Sequence, residues 1–111
     1  MPEVMSNRRN SPRFALILVA SLTEVDSGTR LSARTSDVSR TGCYVDTLNP
    51  IPKGSLVDIT LTRGEEVFKS RGRVVYVSPG LGMGIQFEEP IETGQLQVLN
   101  RWLETSSHLR L

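Results

Sequence analysis

Residues 56–62 read Leu-Val-Asp-Ile-Thr-Leu-Thr, and apolar and polar side chains alternate along the stretch. The side chains of Val57, Ile59 and Leu61 fall on one face, because successive residues of a strand point to opposite sides of a sheet. This period of two predicts a β-strand with one face in the core. Residues 63–65, Arg-Gly-Glu, follow directly and indicate a hairpin turn.

Further segments have strand character and are separated by turns rich in Gly, Pro, Asp and Ser. Residues 14–22 are rich in Leu, Ile and Val and have the length of a strand, and the apolar run 14–19 predicts burial on both faces, or nearly so. Residues 67–78 form a long strand candidate in which Gly72 indicates a bulge or bend. The remaining strand candidates are residues 29–36, 43–45 and 84–87.

The hydrophobic period changes near the end of the chain, where residues 93–105 predict one amphipathic helix. Its apolar residues lie within an arc of about 160° at 100° per residue; they are Leu96, Val98, Leu99, Trp102 and Leu103. We expect this helix, with Trp102, to pack against a face or open end of the sheet. Six short strands and a terminal helix favour a small antiparallel barrel, because closure removes exposed edges. A β-sandwich is the main alternative.

The chain has 111 residues, of which 38% are hydrophobic, enough for one domain with a core. Residues 1–7 are polar and aperiodic, which predicts a flexible tail before a domain over 8–111, with the barrel over about 14–91. We expect a cytoplasmic protein without membrane insertion, because no apolar run approaches the roughly 20 residues of a membrane span. The one cysteine, Cys43, excludes an internal disulfide and a cysteine-based zinc site. The one histidine, His108, excludes most metal sites and the common catalytic dyads.

The basic residues are unusual in kind, since eleven of the 13 are arginine and the net charge is only +1. Arginine donates two parallel hydrogen bonds to a phosphate or to a guanine edge. Three arginines lie in the segment Arg8-Arg9-Asn10-Ser11-Pro12-Arg13. Arg9 and Arg13 are at most about 14 Å apart in extended chain, so they could grip two sides of a compact anion. A second polar cluster reads Asp37-Val38-Ser39-Arg40-Thr41-Gly42 and indicates a turn.

Taken together and in this order, the two clusters resemble the RxxxR and D/NxSxxG motifs of the PilZ domain family. Residues 82–87, Gly-Met-Gly-Ile-Gln-Phe, are also similar to the family's glycine-containing strand. The resemblance covers roughly residues 8–103. It implies a mainly β fold, a six-stranded antiparallel PilZ-type barrel with a C-terminal α-helix. It also implies that the chain binds cyclic di-GMP (c-di-GMP), a bacterial second messenger with two phosphates and two guanines.

The resemblance assigns the ligand contacts to the residues of both motifs, namely Arg8, Arg9, Arg13, Asp37, Ser39, Arg40 and Gly42. Asp37 suits the N–H donors of guanine, and Ser39 could contact the ligand, form the turn, or do both. Gly42 would permit a positive φ or a close backbone approach. Arg40 occupies a variable position and could reach the ligand or solvent. An arginine at position 8 resembles family members that bind two intercalated c-di-GMP molecules.

These observations lead us to expect a c-di-GMP receptor that changes conformation, by ordering residues 6–13, and signals to an unidentified partner protein. A ligand-independent PilZ-type interaction adaptor is the alternative. A nucleic-acid-binding barrel fits poorly, because the net charge is near zero and aromatic residues make up only 5%. We therefore expect no DNA or RNA partner. An enzyme fits least, since no nucleophile pairs with a histidine and no metal-ligand cluster or cofactor motif is present.

Three residue groups outside the motifs have simpler interpretations. Cys43 is interpreted as a small buried hydrophobe. Tyr76 could stack on a guanine, but core packing is the favoured role. The alternating cations Lys69, Arg71 and Arg73 are most simply a solvated strand face.

Overall fold

A computed structural model describes residues 12–106. The elements are β1 (Val19–Glu24), β2 (Arg30–Val38), β3 (Gly42–Asp46), β4 (Leu56–Arg63), β5 (Glu66–Ser78), β6 (Gly82–Phe87) and α1 (Thr93–Ser106). All strand pairs are antiparallel, and they close a barrel in the order β1-β2-β3-β6-β5-β4. The prediction of a six-stranded antiparallel barrel with a C-terminal helix is confirmed. The predicted tail, together with Arg8 and Arg9, lies outside the described residues.

The barrel core consists of the inward side chains of every strand. Val57, Ile59 and Leu61, the apolar face of the alternating segment, are all buried. A second inward row crosses the opposite wall, where Val38, Cys43 and Ile85 are cross-strand neighbours and Val74 follows Ile85. The alternation of side chains along the strands therefore distinguishes core residues from surface residues along most of the barrel.

Helix α1 packs against β5 through the face that its period indicates. Leu99, Trp102 and Leu103 are buried there. The indole Nε1 of Trp102 donates to Oε1 of Glu66, at the start of β5, over 2.8 Å. Trp102 thus packs against the barrel, as predicted, and its one polar atom has a partner. Within residues 12–106, no helix combines the length and apolar character needed to cross a membrane.

The first strand differs from the sequence interpretation. Strand β1 begins only at Val19, and the predicted burial on both faces is wrong, because Ile17 and Val19 are 70% and 63% exposed. One face of a barrel wall packs in the core and the other faces solvent, so only alternate residues of this apolar run reach the core. Before β1, the buried hydroxyl of Thr35 holds the chain by donating to Leu16 O and accepting from Leu18 N.

The bulge expected at Gly72 is also wrong. The β5–β6 register shifts between Val74 and Tyr76 instead. Gly72 keeps its pairing with Phe87, and a Cβ placed on it would lie 2.7 Å from Cγ2 of Ile85. Glycine is therefore required at position 72 by close packing across the strands and not by a bend.

Candidate functional site

The segment before β1 is attached to the end of β2. The backbones of Phe14 and Val38 exchange two hydrogen bonds, of 2.9 and 3.0 Å. This antiparallel bridge places Arg13 beside Asp37, with Nη1 and Oδ2 3.8 Å apart. The two side chains are 55% and 30% exposed, so water screens their attraction and the ion pair is weak. The last arginine of one motif and the first residue of the other thus meet at the barrel surface.

A β-bulge decides which way Asp37 points. The β2–β3 register pairs Thr35 with Val45 and then Asp37 with Tyr44, so Ser36 is the extra residue. Without it, Asp37 would share the inward face of the buried Thr35. The bulge turns Asp37 outward and leaves Val38 to continue the core.

A second bulge does the same for Tyr76. The β5–β6 register pairs Val74 with Ile85 and then Tyr76 with Gly84, which leaves Val75 unpaired. Tyr44 pairs with Gly84 from the other side. The two bulges therefore align Asp37, Tyr44, Gly84 and Tyr76 in one outward row across β2, β3, β6 and β5.

Gly84 provides space within this row. A Cβ on Gly84 would overlap Cε2 of the Tyr76 ring, which lies across the glycine. The ring centroids of Tyr76 and Tyr44 are 6.0 Å apart, with their planes inclined by 30°. Tyr76 is half-buried and is absent from the barrel core, so the core packing that the sequence favoured for it is wrong. The alternative, stacking on a guanine, stays a prediction. The signal in the sequence was the Gly82-x-Gly84 pattern, which marks a strand closely approached by neighbouring groups.

The turn after Asp37 is formed by Ser39, which is buried. Its Oγ accepts from the backbone N–H groups of Thr41 and Gly42, each at 3.2 Å, and its own N–H donates to Gly42 O. The turn itself is narrower than the predicted segment 37–42, because Asp37 and Val38 stay in β2 and Gly42 opens β3.

Gly42 has no positive φ. A Cβ on Gly42 would overlap the carbonyl oxygen of Ile85, on the paired strand β6. Of the two reasons that the sequence allowed for this glycine, close backbone approach is the one that the structure shows.

Arg40 points away from the other motif residues. Its Nε donates to Oδ1 of Asn100 on α1, over 3.2 Å. It lines a separate cavity of about 310 Å³ with Pro12, Phe14 and residues of α1. The structure therefore brings Arg13, Asp37, Ser39 and Gly42 together and leaves Arg40 outside the group.

The four residues that meet line one cavity, which also includes Thr41, Tyr76, Gly84 and Gln86. Its volume is about 40 Å³, room for about three water molecules. Any larger ligand must therefore lie across its mouth. Cys43 also lines it but is buried, and desolvation, helped by the charge of Asp37, raises the pKa of its thiol. The protonated thiol is a poor nucleophile. The cavity also offers a guanidinium, a carboxylate and an aromatic ring, which are groups that can bind a ligand.

The model of the PilZ domain family matches residues 7–105. The chain belongs to the PilZ domain family. No curated protein sequence matches this PilZ chain.

Solved structures, two of which are described as PilZ domains, share the fold at low sequence identity. The PilZ domain of YcgR from Escherichia coli, solved with c-di-GMP, superposes with a TM-score of 0.74 at 16% identity, over 93% of this chain and 94% of that one. The PilZ domain of CeSA from a cellulose-synthesizing bacterium gives 0.67 at 18% identity, over 91% and 100%. The Bacillus subtilis inhibitor of motility, MotI, gives 0.72 at 16% identity, over 88% of this chain and 50% of its own.

The cations of β5 lie apart from the cavity of this PilZ domain. Lys69, Arg71 and Arg73 are exposed. Arg71 pairs with Asp58 at 2.9 Å, and Arg73 reaches Glu88 at 3.5 Å and Gly54 O at 2.9 Å. They form the solvated face that their alternation indicates, and two of the three already have acidic partners. Among residues 12–106, no three His, Cys, Asp or Glu side chains are grouped so that they could hold a metal ion.

Proposed function

We propose that this PilZ domain binds c-di-GMP where Arg13 and Asp37 meet and passes the binding event to a partner protein. The observation that carries the proposal is the distance of 3.8 Å between two motif side chains that are 24 positions apart in sequence. The bridge between Phe14 and Val38 and the bulge at Ser36 both serve this meeting. The similar PilZ domain of YcgR, solved with c-di-GMP, supports the choice of ligand.

The side chains fit the two kinds of group that c-di-GMP presents. The Watson–Crick edge of guanine carries N–H groups that can donate to the carboxylate of Asp37, and O6 and N7 accept the parallel hydrogen bonds that Arg13 can donate. Because the Arg13–Asp37 pair is partly exposed and weak, exchanging it for ligand contacts costs little. The exposed part of the Tyr76 ring offers a purine a stacking surface on the same cavity.

The other motif residues have different parts in the proposal. Ser39 and Gly42 shape the turn and the β3–β6 contact, so they position the cavity wall. Arg8 and Arg9 supply two further guanidinium groups from the segment directly before Arg13. Arg40 joins the ligand only if it leaves Asn100, and we assign it a secondary contact.

The test is calorimetric titration of c-di-GMP into the wild-type chain and into two matched variants. Arg13→Ala removes a proposed contact, and we expect affinity to fall by about tenfold to a hundredfold, as for the loss of one bidentate pair. Arg71→Ala is the control, because Arg71 forms a similar exposed pair with Asp58 outside the cavity lining. We expect it to bind like wild type.

The outcomes distinguish whether the chain binds c-di-GMP from where it binds it. Wild-type protein that gives neither heat nor a thermal shift with c-di-GMP would overturn the receptor proposal and leave the ligand-independent adaptor. Equal affinities of Arg13→Ala and Arg71→Ala for c-di-GMP would show that the chain binds this ligand at a different surface. Two ligands per chain, reduced to one by Arg8→Ala, would support the intercalated pair.

A further inference from the structure

Barrel closure is staggered, and within residues 12–106 one end of β2 has no strand beside it on its β3 side. Strand β3 pairs with β2 only from Arg34 onward, where Arg34 faces Asp46. Among the described strands, residues 30–33 pair only with β1. Four residues of sheet edge, about 13 Å long, are therefore open.

The backbone of Ser32 points into this opening. The N–H of Thr35 donates to Leu18 O on the β1 side. Because backbone directions alternate along a strand, the N–H and C=O of Ser32 point the opposite way, towards the β3 side. Among residues 12–106, neither group has a backbone partner on that side. Ser32 thus presents a donor and an acceptor in the spacing that an added strand needs.

An apolar groove of about 680 Å³ runs along the same edge. Leu31 and Ala33 line it from the inner side of β2. Two leucines from the loops after β3 and before β6, Leu48 and Leu81, line it from across the opening and are 78% and 69% exposed. Leucines this exposed, beside an unpaired edge, are typical of an interaction site.

The charge on the outer face of β2 indicates which kind of chain can pair with residues 30–33. Arg30 and Arg34 are exposed on either side of Ser32, and neither has an ion-pair partner among the described residues. A second copy pairing through this edge would crowd the arginines of both chains onto one outer strip, and like charges across strands are destabilising. An acidic chain is attracted by both arginines, and of the described residues that line the groove only Asp46, which lies across from Arg34, opposes it at that end.

We propose that residues 30–33 bind an extended acidic segment of a partner protein, which adds to the barrel as a short strand beside β2. The partner's side chains then alternate. Acidic residues lie on the outer face beside Arg30 and Arg34, and apolar residues lie on the inner face against Leu31, Ala33 and the groove leucines. This surface needs no nucleotide, so the inference does not rest on c-di-GMP binding.

The test uses two labelled peptides of about eight residues, one alternating Glu and Val and one alternating Lys and Val, with fluorescence anisotropy as the readout. We expect wild type to bind the Glu peptide and not the Lys peptide. Ser32→Pro removes the edge N–H and should weaken binding about tenfold, the effect of one lost donor. Ser32→Ala keeps the N–H and should bind like wild type.

A charge reversal tests the inference without touching the backbone. The double variant Arg30→Glu with Arg34→Glu should prefer the Lys peptide. It replaces Ser32→Pro as the test if circular dichroism shows that Ser32→Pro does not fold. Wild type that binds neither peptide, or both equally, would overturn the proposal. Equal binding by Ser32→Pro and Ser32→Ala would do so as well. A wild-type dimer in sedimentation that Ser32→Pro dissociates would make a second copy the occupant instead.

Discussion

Two glycines of the site have different neighbours, and those neighbours decide what an added methyl group would do. At Gly42 the methyl group would meet the carbonyl oxygen of Ile85, which belongs to the β3–β6 ladder. At Gly84 it would meet the ring of Tyr76. A backbone carbonyl cannot move without disturbing its strand, whereas a side chain at the surface can rotate. The same substitution therefore acts on the fold at one position and on the cavity at the other.

We expect Gly42→Ala to lower the free energy of unfolding by about 1–3 kcal/mol, as overpacking does. Gly84→Ala should also destabilise, but removing the ring with Tyr76→Ala should relieve much of its cost. A double-mutant cycle by urea denaturation measures this relief as a coupling energy of about 0.5–3 kcal/mol. The matched cycle of Gly42→Ala with Tyr76→Ala should show little coupling. Equal coupling in both cycles would contradict the distinction.

The chemistry of the motif residues could be predicted from their types, but the direction of their side chains could not. Ser39 forms the turn because a serine hydroxyl readily bonds nearby backbone N–H groups, which is a local property. Asp37 points outward because Ser36 is one residue too many for the partner strand, and this depends on pairing with distant β3. The direction of Tyr76 could not be predicted for the same reason, since it depends on the unpaired Val75.

At the level of elements, the carboxylate of Glu66 on β5 accepts hydrogen bonds from two side chains of α1. Glu66 accepts from Nη2 of Arg101 at 2.6 Å and from Nε1 of Trp102 at 2.8 Å. These hydrogen bonds, first that from Arg101 and then that from Trp102, lower the pKa of Glu66. A lowered pKa in the folded state means that the unfolded chain takes up a proton first as the pH falls. The stabilisation from Glu66 is therefore fully present above the ordinary glutamate pKa of about 4.3 and is lost progressively as the pH falls from there through the lowered pKa.

The variant Glu66→Gln tests this dependence. The amide can still accept from Trp102, but the charge that faces Arg101 is gone. We expect the variant to melt below wild type at neutral pH and the difference to shrink as the pH falls through the lowered pKa of Glu66. Melting curves over a pH series measure it, with Glu65→Gln, an exposed neighbour in the turn, as the control. A difference that stays constant with pH would show that the charge is not involved.

The helix was easier to predict than the first strand. Residues 93–105 carry their whole period within one segment, so the buried face could be identified from spacing alone, and the helix spans Thr93–Ser106. The apolar run 14–22 has no such period. Which of its residues face the core depends on pairing with β2 and β4, and Ile17 and Val19 are exposed although they resemble their buried neighbours.

At the scale of the whole molecule, the barrel is closed, so modification of its one cysteine reports on unfolding of the barrel. Cys43 is buried in the inward row of β3, between its cross-strand neighbours Val38 and Ile85. Neither neighbouring strand can leave without opening the barrel. Burial also raises the pKa of the thiol, so the folded protein offers little thiolate to a reagent. Labelling of Cys43 should therefore wait for global opening.

We expect a thiol reagent to modify Cys43 at a rate set by the equilibrium for global unfolding, which urea raises in parallel with loss of the folded fraction. Because a ligand that binds only the folded state lowers the open fraction, c-di-GMP at 100 times its dissociation constant should slow labelling about 100-fold. Arg13→Ala should lose most of this protection at the same concentration. Labelling that is fast in native buffer would show that the β3 wall opens alone. Protection that survives Arg13→Ala would place the nucleotide elsewhere on the barrel.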